Sequence, residues 1–230
     1  MPTADNQLIQ SLPRKDRERL LAQCNPVDLV LAEVLCERGQ PLRHAYFPVD
    51  GFISLVTKID GHPGLEVGMV GREGMLGAPL VLGVPKMPLR ALVQGPGSAW
   101  RIAAGPFKRE LAHSAALRHA LNRYVYVLMA QLTSSAACLR FHLIGQRLAR
   151  WLLMSQDRAH ADTFHVTHEF LAYMLGVRRV GITVAAGDLQ RGGLIAYHRG
   201  ELTVLDRPGL EAAACSCYAT DRLNYSEQMP

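Results

Sequence analysis

The first hundred residues alternate between short apolar runs and strong turn signals. Asp50-Gly51 and Pro63-Gly64 are two of several breakers at short intervals, and such pairs mark turns. The β-branched and aromatic runs between the breakers predict five strands, at 44–47, 52–57, 65–70, 89–93 and 99–102. Short antiparallel strands at this spacing favour a sandwich or barrel. Ahead of them, the Asn-Pro-Val-Asp sequence at 25–28 predicts an amphipathic helix that reaches about Cys36.

The pattern changes to helical periodicity in the middle of the chain. From Phe107 to Arg158 there is no proline and only one glycine, which predicts long helices. Apolar positions recur there at alternating spacings of four and three, as in a coiled-coil seam. The members of this seam are Leu121, Val125, Leu128, Leu132, Ser135 and Leu139. Two interpretations stay open, a core helix inside one domain and a helix that joins two copies of the chain.

A short helix, a glycine turn and a second helix are predicted over residues 167–190. Thr167 is expected to cap the first helix, because its hydroxyl can accept a hydrogen bond from an orphan backbone N–H. Gly176 is expected to close that helix in the left-handed conformation, and the second helix starts at Arg178 or Arg179. This arrangement is typical of a helix-turn-helix, whose second helix reads base edges from its N-terminal end.

Residues 194–197 and 202–205 are two short, mainly apolar runs on either side of a His-Arg-Gly turn, which predicts a β-hairpin wing beside the helix-turn-helix. The candidate DNA-binding residues lie in these two parts: Thr167, Arg178, Arg179, Thr183 and Arg199. Arg179 is the candidate base reader, since arginine can pair bidentately with guanine, and Arg178 is expected to contact a base or a phosphate. An αα-hairpin without a ligand is the alternative interpretation.

Composition and charge narrow the class of protein. The chain has 230 residues, 49% of them apolar, with a net charge of +5. Residues 140–200 carry +4 and residues 201–230 carry −3, and every basic residue after Lys108 is arginine, which suits phosphate and guanine. The longest apolar run, 124–130, is far below the roughly 20 residues of a membrane span, and no secretory signal is visible. We therefore expect a cytoplasmic protein with no membrane partner and reduced thiols.

The order of these parts resembles the Crp/Fnr superfamily of bacterial transcription regulators. The strongest stretch is 167–209, with Thr-x-Glu-Phe-Leu-Ala-x-Met-Leu-Gly-Val-Arg-Arg, then Leu-Gln-Arg-Gly-Gly-Leu-Ile, then Asp-Arg-Pro-Gly. The resemblance implies an α+β fold with a cyclic-nucleotide-binding-like antiparallel β-roll or jelly roll (1–106), a dimerisation helix (107–139) and a winged helix-turn-helix domain (140–230).

The resemblance also implies the partners of the chain. A homodimer would dock its recognition helices in the major groove of a two-fold operator in double-stranded DNA. RNA polymerase would be a further partner if the protein is an activator. The seam residues Leu121, Val125, Leu128, Leu132 and Leu139 would then form the dimer interface.

The sequence departs from the family pattern in the recognition helix. A glutamate that often follows the family's arginine is replaced here by Val180, and a further family arginine falls at Val184. We therefore expect an operator that differs from the best-known family consensus.

A second departure concerns the effector. Gly77 and Arg90 fit the glycine and arginine of the cyclic AMP cassette, whereas Ala78 stands where the ribose-binding glutamate should be and Pro79 removes a backbone donor. We expect no cyclic AMP binding of the usual kind and no other cofactor, with Gly77 and Arg90 as candidate contacts for an unidentified effector.

No metal site is expected. Cys24 and Cys36 are too few for an N-terminal iron–sulfur cluster. The pair Cys215 and Cys217 is expected to lie on one C-terminal helix, where residues two apart point in different directions. His165 and His168 lack an evident third ligand.

Two other classes of protein fit the sequence less well. A cupin-like metalloenzyme needs a cluster of histidines and carboxylates in the strands, where only His44 and His62 occur, so no catalytic residue is assigned. A β-roll that binds a ligand or a protein but has lost DNA binding is disfavoured by Arg178, Arg179 and the wing.

Overall fold

The computed structural model describes residues 6–58, 60 and 64–229. Gly61, His62 and Pro63 lie outside the described residues. The N-terminal half contains α1 (Gln7–Gln10), α2 (Arg14–Leu21), β1 (Asn25–Leu29), β2 (Val34–Cys36), β3 (His44–Pro48), β4 (Phe52–Thr57), β5 (Leu65–Val70), α3 (Ala78–Val81), β6 (Arg90–Gly95) and β7 (Gly97–Ala103). The second half contains α4 (Ala104–His113), α5 (Ala115–Phe141), α6 (Ile144–Ala159), β8 (Thr163–His165), α7 (His168–Leu175), α8 (Arg179–Arg191), β9 (Ile195–His198), β10 (Glu201–Val204), α9 (Arg207–Ala213) and α10 (Ser216–Gln228).

Two antiparallel sheets form an N-terminal β-roll. One sheet has the strand order β1-β7-β3 and the other β2-β6-β4-β5, and the five predicted strands are confirmed with end points that shift by up to two residues. Phe47, Ile53 and Ile102 are fully buried between the sheets. The expected α+β architecture, with a β-roll followed by long helices and a winged helix-turn-helix, is confirmed.

The helix expected over 25–36 is wrong. Residues Asn25–Leu29 form β1, which pairs with β7, and Val34–Cys36 form β2, which pairs with β6. The turn between them places Ala32 at a φ of +66°. Both strands complete the backbone hydrogen bonds of a sheet edge, and this tertiary pairing outweighs the local helical signal.

The expected single helix at 107–139 is two helices. Ser114 has an extended backbone and caps α5, since its side chain accepts a hydrogen bond from the amide of Leu117 at 3.0 Å. α4 closes one end of the roll with the buried ring of Phe107. The division of the chain at 106 and 139 stays a prediction, and both positions fall inside helices.

The predicted seam of α5 faces the β-roll of its own chain. Leu121 is fully buried in the core of the roll, which places it in the core instead of at a dimer interface, and Val125 is nearly buried. Leu128, Leu132 and Leu139 are half-buried. Tyr126 (57% exposed) and Met129 (62% exposed) lie on a different face. A heptad pattern predicts which face of a helix is buried but not what covers that face. In this structure the β-roll covers the seam face of α5.

The C-terminal domain packs around α6, which ends at Ala159. A short connection then leads into β8, an unpredicted strand that pairs with β10 in a three-stranded sheet of order β8-β10-β9. α10 returns along α5.

Among the described residues no single helix is long and apolar enough to cross a bilayer. α7 and α8 reach the required length and apolar character only when they are taken together, and the chain is sharply bent between them.

Candidate nucleic-acid interface

The chain bends by 109° between the two helices of the helix-turn-helix, α7 and α8. Thr167 caps α7 as expected, with its side-chain oxygen 3.1 Å from the amide of Phe170. Gly176 ends α7 at a φ of +62°, the left-handed conformation that glycine adopts without a steric penalty. The amide of Val177 then bonds to the carbonyl of Ala172 at 3.0 Å. The turn therefore fixes the angle at which α8 leaves the domain.

α8 has a buried and an exposed face. Its apolar underside packs into the domain core through Ile182, Ala185, Ala186 and Leu189. Its outer face is exposed and includes Arg179, Val180, Thr183 and Val184. Two valines, 66% and 57% exposed at positions 180 and 184, stand one turn apart on this face. α8 is thus held from below and presents a mixed basic and apolar surface.

Arg178 and Arg179 lie at the N-terminal end of α8. Arg178 is the extended residue just before the helix and Arg179 is its first helical residue. Both side chains are exposed, and neither forms a hydrogen bond or ion pair with the part of the chain that the structure describes. The donor atoms of both guanidinium groups are therefore available to an external acceptor, at the helix end whose dipole also favours anions.

Thr183, His168 and Tyr197 form a network that sequence reasoning missed. The Thr183 hydroxyl donates to the carbonyl of Arg179 at 3.2 Å and forms a second hydrogen bond with Nδ1 of His168, 3.1 Å away. Burial, together with the charge of Arg179, lowers the pKa of His168. The Tyr197 hydroxyl donates to the carbonyl of Val166 at 2.9 Å. The network links the start of α7, the recognition helix and the wing.

The wing is the predicted hairpin. β9 pairs with β10 in antiparallel register, with His198 opposite Glu201. The two turn residues, Arg199 and Gly200, have φ values of +49° and +88°, as a tight two-residue hairpin requires. Arg199 is exposed at the tip of the hairpin. Its role as a DNA contact stays a prediction, as do those of Thr167, Arg178, Arg179 and Thr183.

The candidate effector residues have different surroundings. Gly77 has a φ of +128°, and a Cβ there would lie 2.9 Å from Cε of Met75 and 3.1 Å from Cβ of Ala45. Nε of Arg90 lies 3.2 Å from a carboxylate oxygen of Glu37 at the surface. Buried apolar side chains fill the roll beside this region: Met75, Leu76, Leu80 and Met87. The effector role of Gly77 and Arg90 stays a prediction.

A cavity of about 780 Å³ lies between the roll, α5, α6 and α10. Its lining includes Arg72, Tyr124 and the ion pair of Arg158 with Glu73, whose Nε and Oε1 are 2.9 Å apart. Nearby, Glu66 of β5 accepts hydrogen bonds from Trp151 of α6 at 2.9 Å and from Ser54. Polar groups therefore connect the roll with the first helix of the C-terminal domain.

The interpretation of Cys215 and Cys217 needs a correction. Cys215 is the extended residue before α10 (φ −73°, ψ 158°), so the two cysteines do not lie together within the helix. Their sulfurs, together with the side chains of Cys138 and His142, come within 4.8 Å of one another. The expectation that no metal is bound stays a prediction, although its geometric premise was wrong.

Comparison with known proteins supports this picture. Residues 146–213 match the Crp-like helix-turn-helix domain. No curated protein matches the sequence significantly. Among solved structures, FixK2 from Bradyrhizobium japonicum is 13% identical, with a TM-score of 0.70 over 84% of this chain and 98% of that chain. TTHB099, a CRP-family transcriptional regulator from Thermus thermophilus, is 20% identical, with a TM-score of 0.67 over 82% and 96%.

A third structure, the c-di-GMP responsive global regulator CLP from Xanthomonas campestris, is 17% identical, with a TM-score of 0.67 over 84% of this chain and 100% of that chain. At these identities the likeness establishes the fold. The fold and the site define a winged helix-turn-helix protein with an N-terminal β-roll. Residues 146–213 are a Crp-like helix-turn-helix domain, and the whole chain has the fold of Crp/Fnr regulators of known structure, so the protein is a DNA-binding transcription regulator. This confirms the resemblance drawn from the sequence.

Proposed function

We propose that the chain is a cytoplasmic, homodimeric regulator that places α8 in the major groove of a two-fold DNA operator. The observation that carries this proposal is the pair of unengaged guanidinium groups, Arg178 and Arg179, at the exposed N-terminal end of α8. Helix-turn-helix proteins read bases from this end of the second helix. RNA polymerase is the further partner if the protein activates transcription.

The outer face of α8 supports a specific mode of base recognition. Arg179 reads guanine through its O6 and N7 atoms, and Arg178 contacts the phosphate backbone beside it. Val180 and Val184 have no charged groups, and exposed methyl groups of this kind fit the C5-methyl group of thymine. The half-site is therefore expected to contain a guanine opposite Arg179 and thymines opposite Val180 and Val184.

The exposed face of α5 supports dimerisation. Six exposed residues with spacings of three and four form an outer stripe: His119, Asn122, Tyr126, Met129, Thr133 and Ala136. At 100° per residue, this outer stripe lies about a quarter turn around the helix from the predicted seam. Leu132 and Leu139 are half-buried and flank it. Two copies that pack along the outer stripe would cover the aromatic and thioether groups of Tyr126 and Met129.

A gel-shift assay with genomic fragments over a salt series tests the proposal. A preferred fragment with approximate two-fold symmetry is expected, with half-sites about one helical turn, ~34 Å, apart and an affinity that falls steeply with salt. The variant Arg178→Ala should weaken binding on all fragments, whereas Arg14→Ala, which removes an exposed arginine of α2, should leave it unchanged. Binding without fragment preference and without salt dependence would instead favour a ligand-binding module.

A further inference from the structure

Four metal-ligating side chains converge where α5 ends and α10 begins. The ligand atoms of Cys138, His142, Cys215 and Cys217 all lie within 4.8 Å of one another. The Cys138 and Cys215 sulfurs are 3.5 Å apart, and the sulfur of Cys217 is 3.6 Å from Nδ1 of His142. The three cysteines are buried and the histidine is half-buried. None of the four residues belongs to α8 or the wing, and the cluster has no part in the proposed reading of DNA.

Local backbone geometry brings the four side chains together. Cys138 and His142 are four residues apart at the C-terminal end of α5, so they share one face. Cys215 is extended and Cys217 lies in the first turn of α10, so their side chains can converge on the same point. α10 packs along α5, and this packing closes the cluster from both sides.

Two of the separations between ligand atoms, one between two sulfurs and one between a sulfur and a ring nitrogen, fit a single tetrahedral ion. With Zn–S bonds of about 2.3 Å and Zn–N bonds of about 2.0 Å, tetrahedral ligands lie about 3.8 Å (S to S) and 3.6 Å (S to N) apart. The observed 3.5 Å and 3.6 Å are close to these values. An iron–sulfur cluster would spread its ligands over two or more irons.

Two arginines of α6, Arg147 and Arg150, line the same small cavity as Cys138 and place positive charge beside the cluster. Arg147 and Arg150 of α6 interact electrostatically with Cys138 and Cys215. Arg150 is held in place by Asp221, with a 2.6 Å contact, and by the hydroxyl of Ser135 at 3.3 Å. Three thiolates and a divalent cation leave one net negative charge, which these guanidinium groups offset.

We propose that Cys138, His142, Cys215 and Cys217 bind one Zn²⁺ ion in a closed, four-coordinate site. Three thiolates and one imidazole are a preferred ligand set for this ion, and four protein ligands leave no open position for a substrate. The three thiols lose their protons when the ion binds, and no redox change is involved. The role of the ion is therefore structural.

The site lies at the joint between the two halves of the protein. His142 is the extended residue directly after α5, and α6, the first helix of the DNA-binding domain, begins two residues later at Ile144. A metal bridge to α10 would fix the direction in which the chain leaves α5. This step rests on the proposed function: zinc occupancy would set the orientation of α8 in the dimer, and the orientation of α8 would set the affinity of the protein for DNA.

Zinc content and cobalt spectra of the full-length reduced protein test the site without DNA. One zinc per chain is expected, and Co²⁺ substitution should give thiolate charge-transfer bands and the visible bands of tetrahedral cobalt. Cys217→Ser and His142→Ala should each weaken metal affinity at least about tenfold. Cys24→Ser, which changes a cysteine of the roll, should retain one zinc per chain.

Further measurements separate folding defects and a disulfide from loss of a ligand. Chelation of zinc from the wild-type protein should expose Cys138, Cys215 and Cys217 to alkylation while the labelling of Cys24 is unchanged, and zinc should reverse this effect. A reduced protein without zinc, equal zinc content in Cys217→Ser, or a Cys138–Cys215 disulfide in the freshly purified chain would overturn the proposal. A zinc-loaded protein that binds no DNA would contradict the proposed function alone.

Discussion

The imidazole of His168 stacks on the phenol ring of Tyr197, with ring centroids 4.6 Å apart and ring planes within 16°. His168 also bonds to Thr183 of the recognition helix. A residue of α7 therefore contacts both the wing and α8. We expect the helix-turn-helix and the wing to move as one unit on DNA, because displacing one of them breaks contacts to the other.

A double-mutant cycle measures this stacking. The variants His168→Ala and Tyr197→Ala should each lower the free energy of unfolding, and their combination should show a coupling energy of about 0.5–1.5 kcal/mol in urea denaturation. The pair His168→Ala and His198→Ala is the control, since His198 is an exposed wing residue and additive effects are expected. Additive effects for His168 and Tyr197 would contradict the coupling.

Removal of the Arg179 guanidinium should change specificity more than stability. Arg179→Ala is expected to cost about 1–3 kcal/mol in operator affinity and to relax discrimination at one base pair. Arg178→Ala should weaken all sequences alike and reduce the salt slope by about one. Competition gel shifts with single-base operator variants distinguish the two results. Unchanged discrimination in Arg179→Ala would show that another residue reads this base.

The thymine contact of Val184 can be tested on the DNA as well as on the protein. Replacing single operator thymines by deoxyuridine removes only the methyl group, and at one position it should cost the wild-type protein about 0.8 kcal/mol. The Val184→Ala variant should bind the thymine operator more weakly than the wild-type protein does. Its affinity should fall little further when deoxyuridine replaces that thymine. Equal losses for both proteins would argue against the contact.

The two faces of α5 predict different effects of substitution. Met129→Glu, on the outer stripe, should shift the protein from dimer to monomer in sedimentation experiments with little loss of chain stability, since a buried unpaired carboxylate opposes association. Leu121→Ala, in the core of the roll, should cost about 2–5 kcal/mol of unfolding free energy. A Met129→Glu protein that stays dimeric would place the interface elsewhere.

Glu66 predicts a pH dependence of stability. Burial raises the pKa of its carboxyl from the usual 4.5 to about 7, despite hydrogen bonds from Ser54 and Trp151 and the charges of Arg158 and Arg150. The folded state therefore binds this proton more tightly than the unfolded state, and its stabilising effect is complete at low pH and lost as pH rises toward 7. The loss is roughly 1–3 kcal/mol, somewhat less than the full pKa shift would give, because the side chain is half-buried and water screens part of its charge.

The variant Glu66→Gln isolates this contribution. Glutamine stays neutral, so its stability relative to the wild-type protein should increase between pH 5 and pH 8 in urea denaturation. Glu37→Gln is the control, because Glu37 forms an ion pair at the surface and should give a nearly constant difference. A constant difference for Glu66→Gln would mean that the carboxyl titrates at its ordinary pKa.

Much of the fold follows from local pattern. The turn glycines and β-branched runs determine the five strands, and Thr167, Gly176 and the residues around them determine the caps and turn of the helix-turn-helix. The wing follows from Arg199-Gly200, because a two-residue hairpin needs positive φ values. The basic end of α8 is also a property of the sequence. These features depend on neighbours in the chain, so the sequence by itself determines them.

Tertiary structure decided the rest. Residues 25–36 became two strands because sheet edges were available to pair with them. The periodicity of α5 marked a buried face, but only the packed roll identified what buries Leu121 and left Met129 exposed. The cysteine and histidine cluster joins residues more than seventy positions apart, and sequence separation carries no information about such a meeting. Local propensity thus determined the elements, while burial and long-range pairing decided which surfaces remain for partners.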